Sequence, residues 1–223
     1  MMFMAEKGNS RYMKRLSTPN FFGVARKRIR YTKKPNPGRH TIERCVSLSL
    51  AVKMMGDAST TSESDKAIKS GEVKVNGNVI NEPKYPVGLS DTITEGGKSN
   101  HIWINAQGKI SLSDATSHTV YKVVGKYVAP NGKQMIRLHD GSILHSKAKI
   151  SVNDSVVLKD GKIEKEIALH DGASCEIIDG VHVGTKGKVV QLNKGTMHKP
   201  RTAVIEGNGV RFETPVRNII VVQ

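Results

Sequence analysis

The chain has 223 residues, with 35 Lys and Arg against 20 Asp and Glu, a formal net charge of +15. Hydrophobic residues make up 37% and aromatics 4%, which suits several small β or α+β modules and excludes one large enzyme core. No stretch reaches the roughly 18 consecutive apolar residues of a membrane span. The Met1–Ala5 run is too short for a signal-peptide core. Cys45 and Cys175 match no metal-ligand spacing, and they exclude a secreted disulfide scaffold in favour of a reducing cytoplasm.

The charge is unevenly spread. Residues 1–44 hold twelve Lys and Arg against two acids, a balance of +10, whereas residues 45–105, 106–170 and 171–223 stand at −1, +4 and +2. The first segment reads Lys7, Arg11, Lys14, Arg15, the run Arg26-Lys27-Arg28-Ile29-Arg30, then Lys33, Lys34, Arg39 and His40. Tyr12, Phe21, Phe22 and Tyr31 are interleaved with these, and Pro19, Pro35 and Pro37 break any period. This pattern predicts an irregular arm that orders on nucleic acid, with guanidinium groups on phosphates and exposed rings on bases. A solubilising tail or localisation signal is the plainer alternative.

From Ile42 to Met55 the apolar spacing fits a helix, but Val46-Ser47-Leu48-Ser49-Leu50 also alternates as a strand does. Thr60 stands three residues before Glu63, the capping-box spacing, so a helix is expected to run to about Ser70 and end at Gly71. Val73-Lys74-Val75, Asn76-Gly77 and Asn78-Val79-Ile80 then predict a hairpin. Lys66, Lys69 and Lys74 are expected to project from this helix–hairpin edge as a second RNA contact, the plain alternative being three solvated lysines.

Beyond Thr119 the chain reads as all-β. Asn131-Gly132, Asp140-Gly141, Asp160-Gly161, Asp171-Gly172, Asp179-Gly180 and Asn208-Gly209 separate short Val- and Ile-rich runs, as in small barrels or sandwiches. Between Asp179 and Val190, Gly184 and Gly187 are expected to bracket a tight loop exposing Lys186, with Lys188 opening the next strand. The aspartates near these turns are expected to cap local backbone. His139, His145, His170 and His182 show no metal-ligand spacing.

Gly71–Gly77 followed by Tyr85–Ile93 resembles the S-four-type RNA-binding domain, and Gly180–Val190 resembles a KOW motif. Lys14-Arg15-Leu16 and Pro37-Gly38-Arg39-His40 precede them. The whole order, from about Arg11 to Val222, looks like the archaeal and eukaryotic small-subunit ribosomal protein family S-four-e. The chain departs from that family's leucine-rich, basic pattern at Ser47, Ser49, Thr60, Thr61, Ser62 and Ser64.

The resemblance implies a multidomain, mainly β protein: a basic irregular N-terminal arm (1–41), a small α+β S-four-type RNA-binding domain (42–105), a central β domain (106–170) and a C-terminal SH3-like KOW barrel (171–223). It implies a structural constituent of the small ribosomal subunit, cytoplasmic and ribosome-bound. The expected partners are small-subunit ribosomal RNA and neighbouring ribosomal proteins, with no membrane, small-molecule substrate, cofactor, metal or catalytic residue. S-four-type domains also accompany pseudouridine synthases and aminoacyl-tRNA synthetases, but no nucleotide-binding, zinc-protease or nucleophile-elbow motif occurs here. A KOW-bearing transcription or translation factor that binds RNA transiently is the other reading.

Overall fold

The computed structural model describes residues 12–27, 29–56, 58–114, 119–146, 150–159, 161–207 and 209–222. Met1–Ala5, Lys7, Arg11, Arg28, Asp160 and Asn208 lie outside the described residues. The chain divides into two compact units, one running to Gly88 and including Ile93–Lys98, the other comprising Leu89–Thr92 and the chain from Ser99 onward.

In the first unit the basic segment folds back on itself. Strand β1 (Tyr12–Lys14) pairs antiparallel with β2 (Tyr31–Lys33), placing Tyr12 opposite Lys33 and Lys14 opposite Tyr31. Two 3-10 turns, Arg15–Ser17 and Asn20–Phe22, lie between them, and Gly23 ends the second at φ 62. Phe21 and Phe22 are buried, the latter at 0% exposure. The expectation that these rings stand exposed for bases is therefore overturned. Burial of two aromatic rings supplies the apolar surface that composition alone did not reveal.

The ambiguous stretch after Ile42 resolves into both of its readings. Cys45–Ser47 is strand β3, and Leu48–Met55 is helix α1, ended by Gly56 at φ 90. Leu48, Ala51 and Val52 give α1 its buried face. Helix α2 (Thr61–Ser70) has the expected capping box, with the Thr60 hydroxyl accepting from Glu63 N and the Glu63 carboxylate accepting from Thr60 N. Gly71 closes it at φ 84. Strands β4 (Val73–Val75) and β5 (Asn78–Val79) form the predicted hairpin, whose turn residues Asn76 and Gly77 have φ 49 and 83. Strand β6 (Pro86–Gly88) pairs with β3, and β7 (Thr92–Glu95) pairs with β4 through Ile93–Glu95.

The described residues of the second unit are mainly β, with one 3-10 turn at Val216–Asn218. Strands β8 (Lys98–Ile104) and β9 (Ile110–Asp114) make a hairpin. Five strands follow: β10 (Thr119–Val128), β11 (Gln134–Leu138), β12 (Ile143–His145), β13 (Ser155–Lys159) and β14 (Lys162–Ile167). They form an antiparallel sheet of order β12-β11-β10-β13-β14 over a core of Tyr121, Val123, Ile136, Leu138, Ile150 and Val156. Five more are β15 (Ser174–Ile177), β16 (Lys186–Asn193), β17 (Thr202–Gly207), β18 (Val210–Pro215) and β19 (Ile219–Val221). These make a sheet of order β18-β17-β16-β15-β19, so the last strand returns to pair with β15. Cys175, Ile177, Val189, Ala203, Ile205, Val216 and Ile219 fill its interior.

Asp140 caps its own turn as expected, accepting from Ser142 N at 2.9 Å, and Asp154 accepts from Ser151 N at 2.9 Å but also reaches the distant Leu169 N at 3.0 Å. Lys122, buried in the unit, donates its ammonium to the carbonyls of Val216 and Ile219, both at 2.6 Å, tying β10 to the C-terminal sheet.

Candidate nucleic-acid interface

The β1–β2 pairing sorts the basic residues of the first unit into those held by the fold and those facing solvent. Arg15 is held: its Nε donates to Tyr31 O at 3.2 Å and Nη1 to Ala25 O at 3.1 Å, bracing the two legs of the arm. Lys33 is held more firmly. Its ammonium pairs with the Asp65 carboxylate on α2 and donates to the Ser49 hydroxyl at 3.1 Å, with only 13% of the side chain exposed. His40 is buried, and its ring packs on Gly88, where a Cβ would come within 2.7 Å of Nδ1.

Lys14, Arg26, Lys27 and Arg30 are exposed. Together with Leu16 and Ile29 they line an open recess of about 550 Å³. Arg26 is steadied by the side-chain oxygen of Asn20. The Arg30 guanidinium lies 5.2 Å from the centroid of the Tyr31 ring, a cation–π arrangement. A second recess, about 670 Å³, is lined by Lys34, Arg39, His40 and Lys84 among others. Asn36 N donates to Lys84 O at 2.8 Å and fixes its wall. Lys84 was not singled out from sequence; it is 45 residues from Arg39, and no local pattern joins the two.

Lys66 and Lys69 are exposed on α2, and Lys74 is exposed between the buried Val73 and Val75 of β4. The helix passes into the strand through Gly71-Glu72, so all three cations belong to one short segment.

In the second unit Lys186 and Lys188 are exposed two residues apart on β16, opposite Glu176 and Ser174. Burial pushes the Glu176 carboxyl above its usual range, against a hydrogen bond from Trp103 and the charge of Lys186. Gly187 does not bracket a loop. It lies within β16, where a Cβ would meet Glu206 O at 2.6 Å, so its missing side chain serves strand packing. Gly184 does turn the chain, at φ 79, and a Cβ there would come within 2.2 Å of Asn105 O. Both glycines thus answer to protein backbone.

A capped helix and hairpin carrying exposed cations form a small α+β module of the kind found in RNA-binding proteins. The S4 domain family matches residues 48–93. The chain is 31% identical to the small ribosomal subunit protein eS4 of Staphylothermus marinus over 95% of its length and 91% of that protein's. It is also 31% identical to the protein of the same name from Methanocella arvoryzae, over 95% and 93% of the two chains. In structure it is similar to the 30S ribosomal protein S4e of Thermoplasma acidophilum, with a TM-score of 0.67, 24% identity, and 80% and 95% of the two chains covered. The chain belongs to the eS4 family of small ribosomal subunit proteins.

Proposed function

We propose that this chain is a structural constituent of the small ribosomal subunit that binds ribosomal RNA by neutralising phosphates, without catalysis. Family membership sets the assembly, and the observation that carries the mechanism is the group of exposed cations Lys14, Arg26, Lys27 and Arg30 around one recess. Arg39 and Lys34 extend this contact beside Lys84, and Lys66, Lys69 and Lys74 supply a further one. Arg11 and Arg28 belong to the same proposal through sequence alone. Lys186 and Lys188 present a pair of charges from the segment read as a KOW motif, on which the SH3-like assignment of residues 171–223 rests. The proposed functional division is arm 1–41, S-four-type domain 42–105, central β domain 106–170 and KOW domain 171–223. Lys33, Arg15 and His40 act by shaping the surface their neighbours present.

RNA duplexes offer side chains little readable sequence, so positioning by backbone contact and shape dominates recognition. The partners are small-subunit ribosomal RNA and adjacent ribosomal proteins, and the location is the cytoplasmic ribosome. Sedimentation of ribosomes through a high-salt cushion tests this reading. The protein is expected to remain with the small subunit; its loss to the supernatant would indicate a transiently bound factor instead.

A further inference from the structure

Strands β16 and β17 are joined by residues 194–201, which contain Lys194, His198, Lys199 and Arg201 and no acid. All eight residues are exposed. The connection is nevertheless closed: Thr196 N donates to Lys199 O at 2.9 Å, and Lys199 N donates to Thr196 O at 3.3 Å and to the Thr196 hydroxyl at 3.2 Å. Gly195 brings the two legs together, since a Cβ there would lie 2.8 Å from Arg201 N and 3.1 Å from Lys199 O. Lys194, Lys199 and Arg201 therefore leave the backbone from one place. Met197 stands at the end of the turn with 97% of its surface exposed.

The base of the connection is built as well. Glu213 on β18 accepts from the Thr202 hydroxyl and from the Asn193 amide at 3.3 Å. These hydrogen bonds, and then the charge of Lys199, hold its carboxyl below the usual range, so it remains ionised beside that lysine. Lys194, Lys199, Thr202 and Glu213 border a recess of about 460 Å³.

We propose that the β16–β17 connection is a separate RNA-contact site, where Lys194, Lys199 and Arg201 take phosphates of one backbone segment and Met197 packs on a sugar or base face. The inference rests on the ribosomal-RNA reading above and adds a contact that neither the basic arm nor the S4 domain supplies. Exposed cations grouped on one closed connection suit a phosphate backbone. A protein partner calls for an apolar centre to the interface, and here Met197 and Pro200 are the apolar side chains among four basic or imidazole ones.

The test uses the full chain and small-subunit ribosomal RNA of the source organism as the probe, with binding followed across a KCl titration. Lys194→Gln/Lys199→Gln/Arg201→Gln is expected to flatten the slope of log K against log salt by about 2–3 units. Lys133→Gln/Lys162→Gln/Lys165→Gln, which removes three exposed cations from the β10–β11 turn and β14, is expected to leave it nearly unchanged. Met197→Asp leaves the closed turn intact and is expected to weaken binding about threefold or more.

Equal slopes for the two triple variants, or undiminished binding by Met197→Asp, would overturn the proposal. An unchanged RNA slope with loss of the connection variant from assembled subunits would also overturn it, assigning the tip to an acidic protein. If neutralising the arm's exposed cations also leaves the slope unaltered, the failure lies with the ribosomal-RNA reading itself.

Discussion

Lys33 and Lys27 sit six residues apart in the most basic part of the chain, yet they do different work. Lys27 is exposed, while the Lys33 ammonium is enclosed by Asp65 and Ser49. Lys33→Ala would leave the Asp65 carboxylate without its partner, and is expected to destabilise the protein by about 1–2 kcal/mol in urea unfolding. Lys27→Ala is expected to stay within about 0.5 kcal/mol of the parent while lowering RNA affinity. The reverse ranking in stability would show that the pair is not structural.

Glu63 makes a different kind of residue-level statement. Hydrogen bonds from the Ser59 hydroxyl and from the Thr60 and Ser59 backbone hold its carboxyl below the usual value of 4.5. The capping contribution is therefore complete above that value and is lost as pH falls through the lower folded pKa. Acid titration of stability should show this loss in the parent chain and less of it in Glu63→Gln. Thr60→Ala, which removes the other half of the box, is expected to cost about 1 kcal/mol at neutral pH.

At the scale of elements, the basic segment is anchored by its aromatic residues. Phe22 is completely buried in the turn between β1 and β2. Phe22→Ala is expected to destabilise the protein by about 3–4 kcal/mol, measured by denaturant unfolding. A change below about 1 kcal/mol would mean that the turn does not contribute to the core. Among the described residues of this segment, Tyr12 and Tyr31 are exposed aromatics, at 58% and 46%. The two strands provide backbone hydrogen bonds, and Arg15 supplies the cross-brace. The surface proposed to meet RNA therefore has a base that is already packed.

For the whole molecule this changes how the electrostatic contact is tested. Deleting residues 1–44 would remove Phe21, Phe22 and the Lys33–Asp65 pair along with the charge. Substitution of Lys14, Arg26, Lys27, Arg30 and Lys34 by Gln isolates the charge instead. The five-fold variant is expected to flatten the salt slope for ribosomal RNA by about 3–4 units with little change in folding. A slope equal to the parent's would transfer the main contact to other cations. In the second unit net charge is an equally poor guide to contact, because Lys122 is consumed by the carbonyls of Val216 and Ile219. A formal +15 thus overstates the charge offered to a partner.

Local chemistry was legible from the residues themselves. The Thr60–Glu63 box, the Gly71 stop and the Asn76-Gly77 hairpin all depend on neighbours within a few positions, and each has the expected form. The order of motifs was enough to indicate the family. What required the folded chain was the destination of each side chain. Asp65 lies 32 residues from Lys33, and Gly88 lies 48 residues from His40, so no local pattern records these meetings. The sequence by itself determined that a strongly basic, mainly β protein carries an S-four-type module. Tertiary structure decided which cations face solvent and which are neutralised within. The reason is physical: a charge or ring becomes available only after distant segments have competed for it, and that competition is settled by packing.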